Sequence, residues 1–358
     1  MSQATRTVAP KAASKAIEKA INTRRPTMLW GPPGIGKSDV VRQIADKQGR
    51  EMIDIRLALW DPTDIKGMPY FDSVDKTMKW APPAELPNDP NSNAIIFLDE
   101  LPSAPPAVQA AAYQLILNRK VGAYRLPENV DIVAAGNRET DRGVTFKMPA
   151  PLANRFLHLE MRVDFEDWMD WAVLNKVHKD VVGYLSFAKQ DLFDFDPKSA
   201  SKSFATPRSW SFVSELLEDE SDMGESTLVD LISGGIGDGL AVKFMAHRKV
   251  ASKMPNPMDV LNGKVDKLNI DEISALYSLT ISLCYELKEL ATKKDKKWYS
   301  YVDQYFNFIM KHFPTELVVM GSKVLISTYK LDIDPEKMKS FDEFFNRFGH
   351  YVFNATAA

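Results

Sequence analysis

Up to Phe165, the apolar residues occur mainly in short continuous runs that glycine, proline and charged residues separate. Runs of this length are typical of strands that are buried on both faces of a parallel sheet. Between the first two runs, apolar residues recur at helical spacing from Ser38 to Ala45 and stop before Gly49. This pattern predicts an α/β fold, a doubly wound parallel sheet with helices on both faces. The strands predicted from these runs are residues 27–30 and 94–98.

After Phe165 the strand-like runs stop and helical spacing dominates. The glycines of residues 234–239 interrupt this spacing; because no strand precedes them and no lysine follows, they predict a turn between two helices. We therefore expect a tail over residues 1–12, an αβα domain over 13–164, a helical domain over 165–262 and a helical extension over 263–358.

A glycine-rich loop lies between the first predicted strand and the first predicted helix. It has the spacing G-x-x-x-x-G-K-S, in which glycines let successive backbone N–H groups turn toward an anion and the helix adds the positive end of its dipole. The lysine then reaches the β- and γ-phosphates of a nucleotide, and the serine hydroxyl can ligate Mg²⁺. The strand and helix on either side disfavour the alternative, a turn that binds nothing. The loop consists of Gly31, Pro32, Pro33, Gly34, Ile35, Gly36, Lys37 and Ser38.

Two carboxylates, Asp99 and Glu100, end the apolar run of residues 94–98. Ligands of open α/β sheets bind at the carboxyl ends of the strands, where these acids are expected. Asp99 is predicted to hold Mg²⁺ beside Ser38, and Glu100 to orient and deprotonate an attacking water. A second acid favours hydrolysis over phosphate transfer to another substrate. ATP is favoured over GTP because Asn175-Lys176-Val177-His178 lacks the acid of a guanine-reading motif.

Composition narrows the function little. The formal net charge of −3 does not favour nonspecific nucleic-acid binding, and the basic run of residues 293–297 is interpreted as a solvated connection between helices. The single cysteine, Cys284, falls in an apolar pattern and is expected in the core, and the five histidines form no metal-type cluster. Residues 1–10 lack a secretion signal and no apolar run has membrane-spanning length, so a cytoplasmic location is expected.

Taken together, these motifs resemble those of the AAA+ ATPases, and within them the MoxR-like group of the dynein-related branch. Three further residues carry the resemblance. Asn137 follows the run of residues 130–136 and matches the sensor 1 position, and Arg155 in Leu152-Ala153-Asn154-Arg155-Phe156 matches the arginine that acts on a neighbouring subunit's nucleotide. Arg208 in Thr206-Pro207-Arg208 matches sensor 2, with Thr206 as helix cap and Pro207 in the first turn.

Other interpretations of the two arginines remain open. Arg155 could instead pair with local acids or carbonyls, and Arg138 and Arg142 are competitors for the trans role. Arg208 could be an ordinary exposed arginine, although a cation in the first turn of a helix is unfavourable unless an anion pairs with it.

The resemblance implies ATP and Mg²⁺ as cofactors and self-association into a ring, a hexamer in this family. It also implies a helical lid over residues 165–262 and a chaperone-like remodelling or assembly role on a protein partner, such as one with a von Willebrand A-type domain. The alternatives are an ATP-dependent switch or structural ring component that turns over slowly, or a motor on nucleic acid.

Overall fold

Two units make up the chain, one built on a parallel sheet and one built from helices. The computed structural model describes residues 6–141, 146–199, 201–219, 224–268 and 272–353. The first unit extends to Asp164 and includes Phe195–Ser199, and the second contains Phe165–Asp194 and the residues that follow Ser199.

The first unit alternates strands and helices. Short 3₁₀ turns lie at Leu57–Leu59, Leu101–Ser103 and Glu139–Asp141. The strands are β1 (Thr7–Val8), β2 (Thr27–Trp30), β3 (Met52–Arg56), β4 (Met68–Asp72), β5 (Thr77–Ala81), β6 (Ile95–Asp99), β7 (Lys120–Val121), β8 (Tyr124–Arg125), β9 (Asp131–Gly136) and β10 (Leu157–Met161). The helices are α1 (Pro10–Asn22), α2 (Lys37–Lys47), α3 (Pro62–Lys66), α4 (Pro106–Asn118) and α5 (Ala150–Ala153).

Six of these strands form one sheet in the order β1-β10-β2-β9-β6-β3, and every neighbouring pair is parallel. The α/β fold predicted from the apolar runs is therefore confirmed. The runs are continuous because the central strands have no solvent face: every residue of Ile95–Leu98 is buried. Parallel strands bring their carboxyl ends to one edge of the sheet, so the segments after β2, β6 and β9 meet there.

The predicted tail over residues 1–12 differs from the structure. Thr7 and Val8 pair with β10, and α1 begins at Pro10 and buries Ala13 and Ile17. A strand of two residues is too short to produce a periodic signal, and only the neighbouring β10 reveals it.

The second unit is helical throughout the residues that the structure describes. Besides regular helices it contains 3₁₀ turns at Lys189–Leu192 and Pro335–Lys337 and a π-helical turn at Val324–Thr328. The helices are α6 (Phe165–Leu174), α7 (Lys179–Phe187), α8 (Pro207–Glu218), α9 (Glu225–Ile236), α10 (Asp238–Ala251), α11 (Pro257–Leu261), α12 (Ile273–Thr292), α13 (Trp298–His312), α14 (Thr315–Lys323) and α15 (Phe341–Phe353).

The described residues on both sides of residue 263 belong to the same compact unit. Helix α12 packs closely on α7: a Cβ atom added to Gly183 would lie 2.3 Å from the Ser278 hydroxyl oxygen. The Tyr285 hydroxyl donates a hydrogen bond of 2.6 Å to the Val177 carbonyl. The sequence shows two successive helical stretches, whereas the structure folds them into one unit. None of the described helices is both long and apolar enough to cross a membrane.

Candidate functional site

The loop between β2 and α2 has the backbone that a phosphate cradle requires. Gly34 and Gly36 have backbone φ angles of +73° and +87°, which residues other than glycine adopt only at a cost in free energy. A Cβ atom on Gly31 would lie 2.8 Å from the Met161 carbonyl oxygen, so only glycine fits there. The loop therefore presents its backbone and the amino terminus of α2 to the carboxyl edge of the sheet.

Lys37 and Asn137 are in direct contact at this edge. The Lys37 Nζ donates hydrogen bonds to the carbonyl oxygens of Gly31 at 2.8 Å and Pro32 at 2.9 Å. It also donates to the Asn137 Oδ1 at 3.0 Å. The structure thus brings together two predicted site residues, one at the start of α2 and one directly after β9.

Asp99 and Glu100 lie at the end of β6 on the same edge. Burial raises the pKa of the Asp99 carboxyl, the negative charges of Asp54 and Glu100 raise it further, and Lys37 opposes them. A half-buried carboxylate with further acids beside it favours a cation. Together with the Ser38 hydroxyl in the first turn of α2, this donor set suits Mg²⁺, which prefers oxygen ligands.

The backbone of Glu100 is strained. Its φ of +54° lies in the left-handed region, which costs a non-glycine residue about 1–3 kcal/mol. The Glu100 N–H donates to the Asp99 Oδ1 at 3.0 Å, and this hydrogen bond helps to hold the turn. The side chain is exposed at the sheet edge, where it can meet a water molecule.

Asp54 is a residue that the sequence reasoning did not assign to the site. It lies on β3 in register with Phe97, and Asp99 follows two positions along the neighbouring strand. The signal that could have found it is a carboxylate inside an otherwise apolar strand-like run.

Gly136 connects the two strand ends by close packing. A Cβ atom there would lie 2.4 Å from the Pro102 Cδ and 2.9 Å from the Met28 Cε. Its carbonyl oxygen accepts a hydrogen bond of 3.3 Å from the Gly31 N–H. The missing side chain at Gly136 lets the turn after Glu100 lie against the ends of β9 and β2.

Comparison with known proteins agrees with this arrangement. Residues 26–156 match the family model described as the AAA domain of the dynein-related subfamily. The matched residues include the phosphate loop, Asp99, Glu100, Asn137 and Arg155, so this part of the chain is similar to the AAA domains of that subfamily. A segment of 177 residues, 47% of the chain, is 27% identical to midasin of Giardia intestinalis, of which it spans only 4%.

Some solved structures resemble the chain distantly. The RuvB Holliday junction branch migration motor of Thermotoga maritima aligns over 76% of this chain and 80% of its own, with 18% identity and a TM-score of 0.36. The ADP complex of NtrX from Brucella abortus aligns over 84% and 70%, with 14% identity and a TM-score of 0.40. Likenesses this low carry no inference about function.

Arg138, the first competitor for the trans role, is paired within the first unit. Its Nη2 lies 2.8 Å from the Asp141 Oδ1 and its Nη1 lies 3.0 Å from the Glu160 Oε1. The Asp141 side chain is only 1% exposed, and hydrogen bonds to it and to Glu160 raise the pKa of Arg138. Arg138 is therefore engaged in its own subunit, and Arg142 lies outside the described residues.

Arg155 lies at the opposite edge of the sheet from the phosphate loop. Leu157 of β10 is in register with Thr27 at the start of β2, and Arg155 precedes Leu157 by two residues. The four residues of β2 alone span about 13 Å at ~3.3 Å each. The exposed Arg155 side chain therefore cannot serve the phosphate loop of its own subunit.

Arg208 lies in the second unit, in the first turn of α8. The Thr206 Oγ1 accepts a hydrogen bond of 3.1 Å from the Ser209 N–H, and the Ser209 Oγ accepts one of 2.8 Å from the Thr206 N–H. With Pro207 in the first helical position, this capping box fixes the start of the helix. Arg208 itself is exposed, in the position that the sequence predicts for it.

Proposed function

We propose that this protein binds ATP with Mg²⁺, hydrolyses it within a ring of identical subunits and uses the cycle to remodel or assemble a protein partner. The observation that carries the proposal is that the site residues are divided between the two ends of the parallel strands, which form the carboxyl edge and the amino edge of the sheet. Lys37, Asn137, Asp99 and Glu100 meet at the carboxyl edge, and Arg155 stands at the opposite one.

ATP binding follows from the loop and its helix. The backbone N–H groups of residues 34–38 and the amino terminus of α2 would face the phosphates, and Lys37 adds a positive charge. Ser38 and Asp99 would hold the Mg²⁺ ion. When bound, the ion neutralises charge that develops on the phosphate oxygens.

Hydrolysis is assigned to Glu100 and Asn137. The Glu100 carboxylate would accept a proton from the attacking water, and the hydrogen bond from the Glu100 N–H to the Asp99 Oδ1 helps to hold the turn that carries it. The Asn137 Oδ1 accepts from Lys37, which directs its Nδ2 donors away from the lysine and toward a water or the γ-phosphate. Both residues thus act beside the phosphates that Lys37 binds.

The position of Arg155 at the amino edge of the sheet supports a ring. Because the carboxyl and amino edges of one sheet point in opposite directions, Arg155 of one subunit can reach a nucleotide only in a neighbour. Repeating that head-to-tail contact with a closing rotation gives a ring, and we assign a hexamer from the family resemblance. Arg208, as sensor 2, would couple the γ-phosphate to the helical unit.

The substrate proposal rests on the MoxR-like resemblance. It implies a chaperone-like role on a protein, with a von Willebrand A-type domain as the class of partner. A slow ATP-dependent switch and a nucleic-acid motor are the competing functions. Added partner protein should stimulate turnover only if the protein is a remodelling ATPase, and added DNA or RNA should stimulate it only if the protein is a nucleic-acid motor.

The experiment that tests the ring mixes two inactive variants. Arg155→Ala keeps an intact phosphate loop, and Lys37→Ala keeps an intact trans arginine. Random mixing in equal amounts should pair an intact loop with an intact arginine at about a quarter of interfaces and restore that share of turnover. Mixtures that co-assemble but stay inactive would argue against the trans role, and Arg42→Ala, an exposed arginine on α2, is the matched control.

A further inference from the structure

A small pocket at the amino edge of the sheet has four arginines among its nine lining residues. It has a volume of about 180 Å³, and one carboxylate, Asp131, is among its lining residues. We call it the arginine pocket. Its arginines are Arg24, Arg25, Arg119 and Arg155.

The strand register explains why the arginines converge. Thr27 of β2 pairs with Leu157 of β10, and Arg25 and Arg155 each precede that pair by two positions. Neighbouring strands lie about 4.8 Å apart, so the two exposed guanidinium groups extend from adjacent positions. Like charges this close repel each other unless an anion lies between them.

The carboxylate of the pocket does not neutralise these arginines, because it is already paired. The Asp131 Oδ2 lies 2.7 Å from the Arg50 Nη2, and these side chains are 13% and 10% exposed. Among the residues that the structure describes, the Arg24 guanidinium donates only to the neutral Asn129 side chain, at 3.4 Å. In the ranges that the structure describes, Arg25 has no side-chain ion pair and neither has Arg155.

Arg119 has a structural role in the pocket wall. Its Nη2 donates to the carbonyl oxygens of Pro127 at 2.6 Å and Val130 at 2.7 Å. Burial lowers the pKa of this guanidinium, Asp131 raises it and the positive charge of Arg24 lowers it, as expected for cations crowded together. The charges left to bind an anion are therefore Arg24, Arg25 and Arg155.

The size of the pocket indicates what enters it. Sites for whole small molecules usually measure about 300–1,000 Å³, so 180 Å³ suits one end of a ligand that is held elsewhere. Guanidinium groups recognise phosphate oxygens through paired N–H donors. A terminal phosphate of a nucleotide bound to another molecule fits both the size and the charge.

We propose that Arg24 and Arg25 join Arg155 in binding the terminal phosphates of a nucleotide held by a second copy of this chain. The inference rests on the proposed function and extends the trans site from one arginine to three. Charge complementarity supports the choice of occupant, because the opposite edge of the same sheet carries the phosphate loop with Asp54, Asp99 and Glu100. A basic edge and an acidic, nucleotide-binding edge fit each other head to tail.

The test uses the full chain with Arg24→Ala, Arg25→Ala and Arg25→Lys, and Arg42→Ala as the control. ATP affinity at low protein concentration should stay at the wild-type value, since each subunit keeps its own phosphate loop. ATP-dependent assembly, measured by light scattering with a non-hydrolysable analogue, and turnover should each fall on the order of 10- to 100-fold for the alanine variants. Arg25→Lys should recover part of the loss because it keeps the charge without the paired donors. Mixing Arg25→Ala with Lys37→Ala should restore turnover as the Arg155→Ala mixture does.

The outcomes separate this inference from the proposed function. Wild-type assembly and turnover in Arg24→Ala and Arg25→Ala, with Arg155→Ala still complemented by mixing, would overturn the three-arginine site and leave the proposed function intact. Unchanged assembly and turnover together with lost binding of a labelled oligonucleotide would instead make the edge a nucleic-acid surface. The assembly measurement needs no hydrolysis, so it tests the arginines even if the wild-type protein turns over no ATP.

Discussion

Replacing Gly136 by alanine tests whether close packing holds the two catalytic strand ends together. The added Cβ atom would lie 2.4 Å from the Pro102 Cδ and 2.5 Å from its Cγ. Carbon atoms pack at about 3.5–4.0 Å, so a shift of about 1 Å is required. A proline ring has no flexible end that could rotate away, and Leu101–Ser103 must move as a segment.

The structure gives magnitudes for stability and for activity. Inserting one carbon into a packed core costs about 1–3 kcal/mol, which is roughly 5- to 150-fold in the unfolding equilibrium of the sheet unit. Glu100 directly precedes the displaced segment, and a misplacement of about 1 Å can lower turnover on the order of 100-fold. ATP affinity should fall less, because the phosphate loop itself keeps its sequence.

Gly234 supplies the matched control. It lies in α9 with no atom within 4 Å of a built Cβ, so Gly234→Ala should stabilise the helical unit by about 0.5–1 kcal/mol and leave turnover unchanged. Urea unfolding with hydrogen exchange to locate each transition, together with phosphate release, measures both variants. A Gly136→Ala protein with unaltered unfolding and turnover would refute the packing of Pro102 against β9.

Three further predictions concern the site residues. Lys37→Ala should weaken ATP binding, whereas Glu100→Gln should bind ATP and lose turnover; full hydrolysis by the second variant would remove Glu100 from the catalytic role. The pKa of Asp99 is raised because the folded protein favours its neutral form. The stabilisation of the fold by neutral Asp99 is complete below the ordinary pKa of 3.8 and is lost as the pH rises through the raised pKa. Asp99→Asn, which stays neutral, should therefore be more stable than wild type at pH 7 without nucleotide, with the difference vanishing in urea unfolding below pH 3.8, and a less stable variant would contradict this sign. Arg208→Ala should lower turnover on the order of 10- to 1,000-fold and abolish the ATP-dependent hydrogen-exchange protection of residues 204–217; equal protection with ATP analogue, ADP and no nucleotide in the wild type would show an ordinary surface arginine.

The sequence alone determined the features whose signals are local. Continuous apolar runs predicted the central strands, because a strand buried on both faces tolerates few polar residues. The phosphate loop could be read because glycine, lysine and serine must occur there at fixed spacing to turn the chain. The start of α8 could also be predicted from the sequence, since Thr206 caps the helix and Pro207 begins it through contacts with the next few residues only.

Features that depend on strand order and register became visible in the folded structure. It brought the Lys37 Nζ to 3.0 Å from the Asn137 Oδ1, paired Arg138 with Asp141 and Glu160, and placed Asp54 beside the site. It also joined the predicted extension to the helical unit and set Arg155 on the edge opposite the phosphate loop. These relations arise from long-range packing, and no local pattern of residues encodes which strand lies next to which.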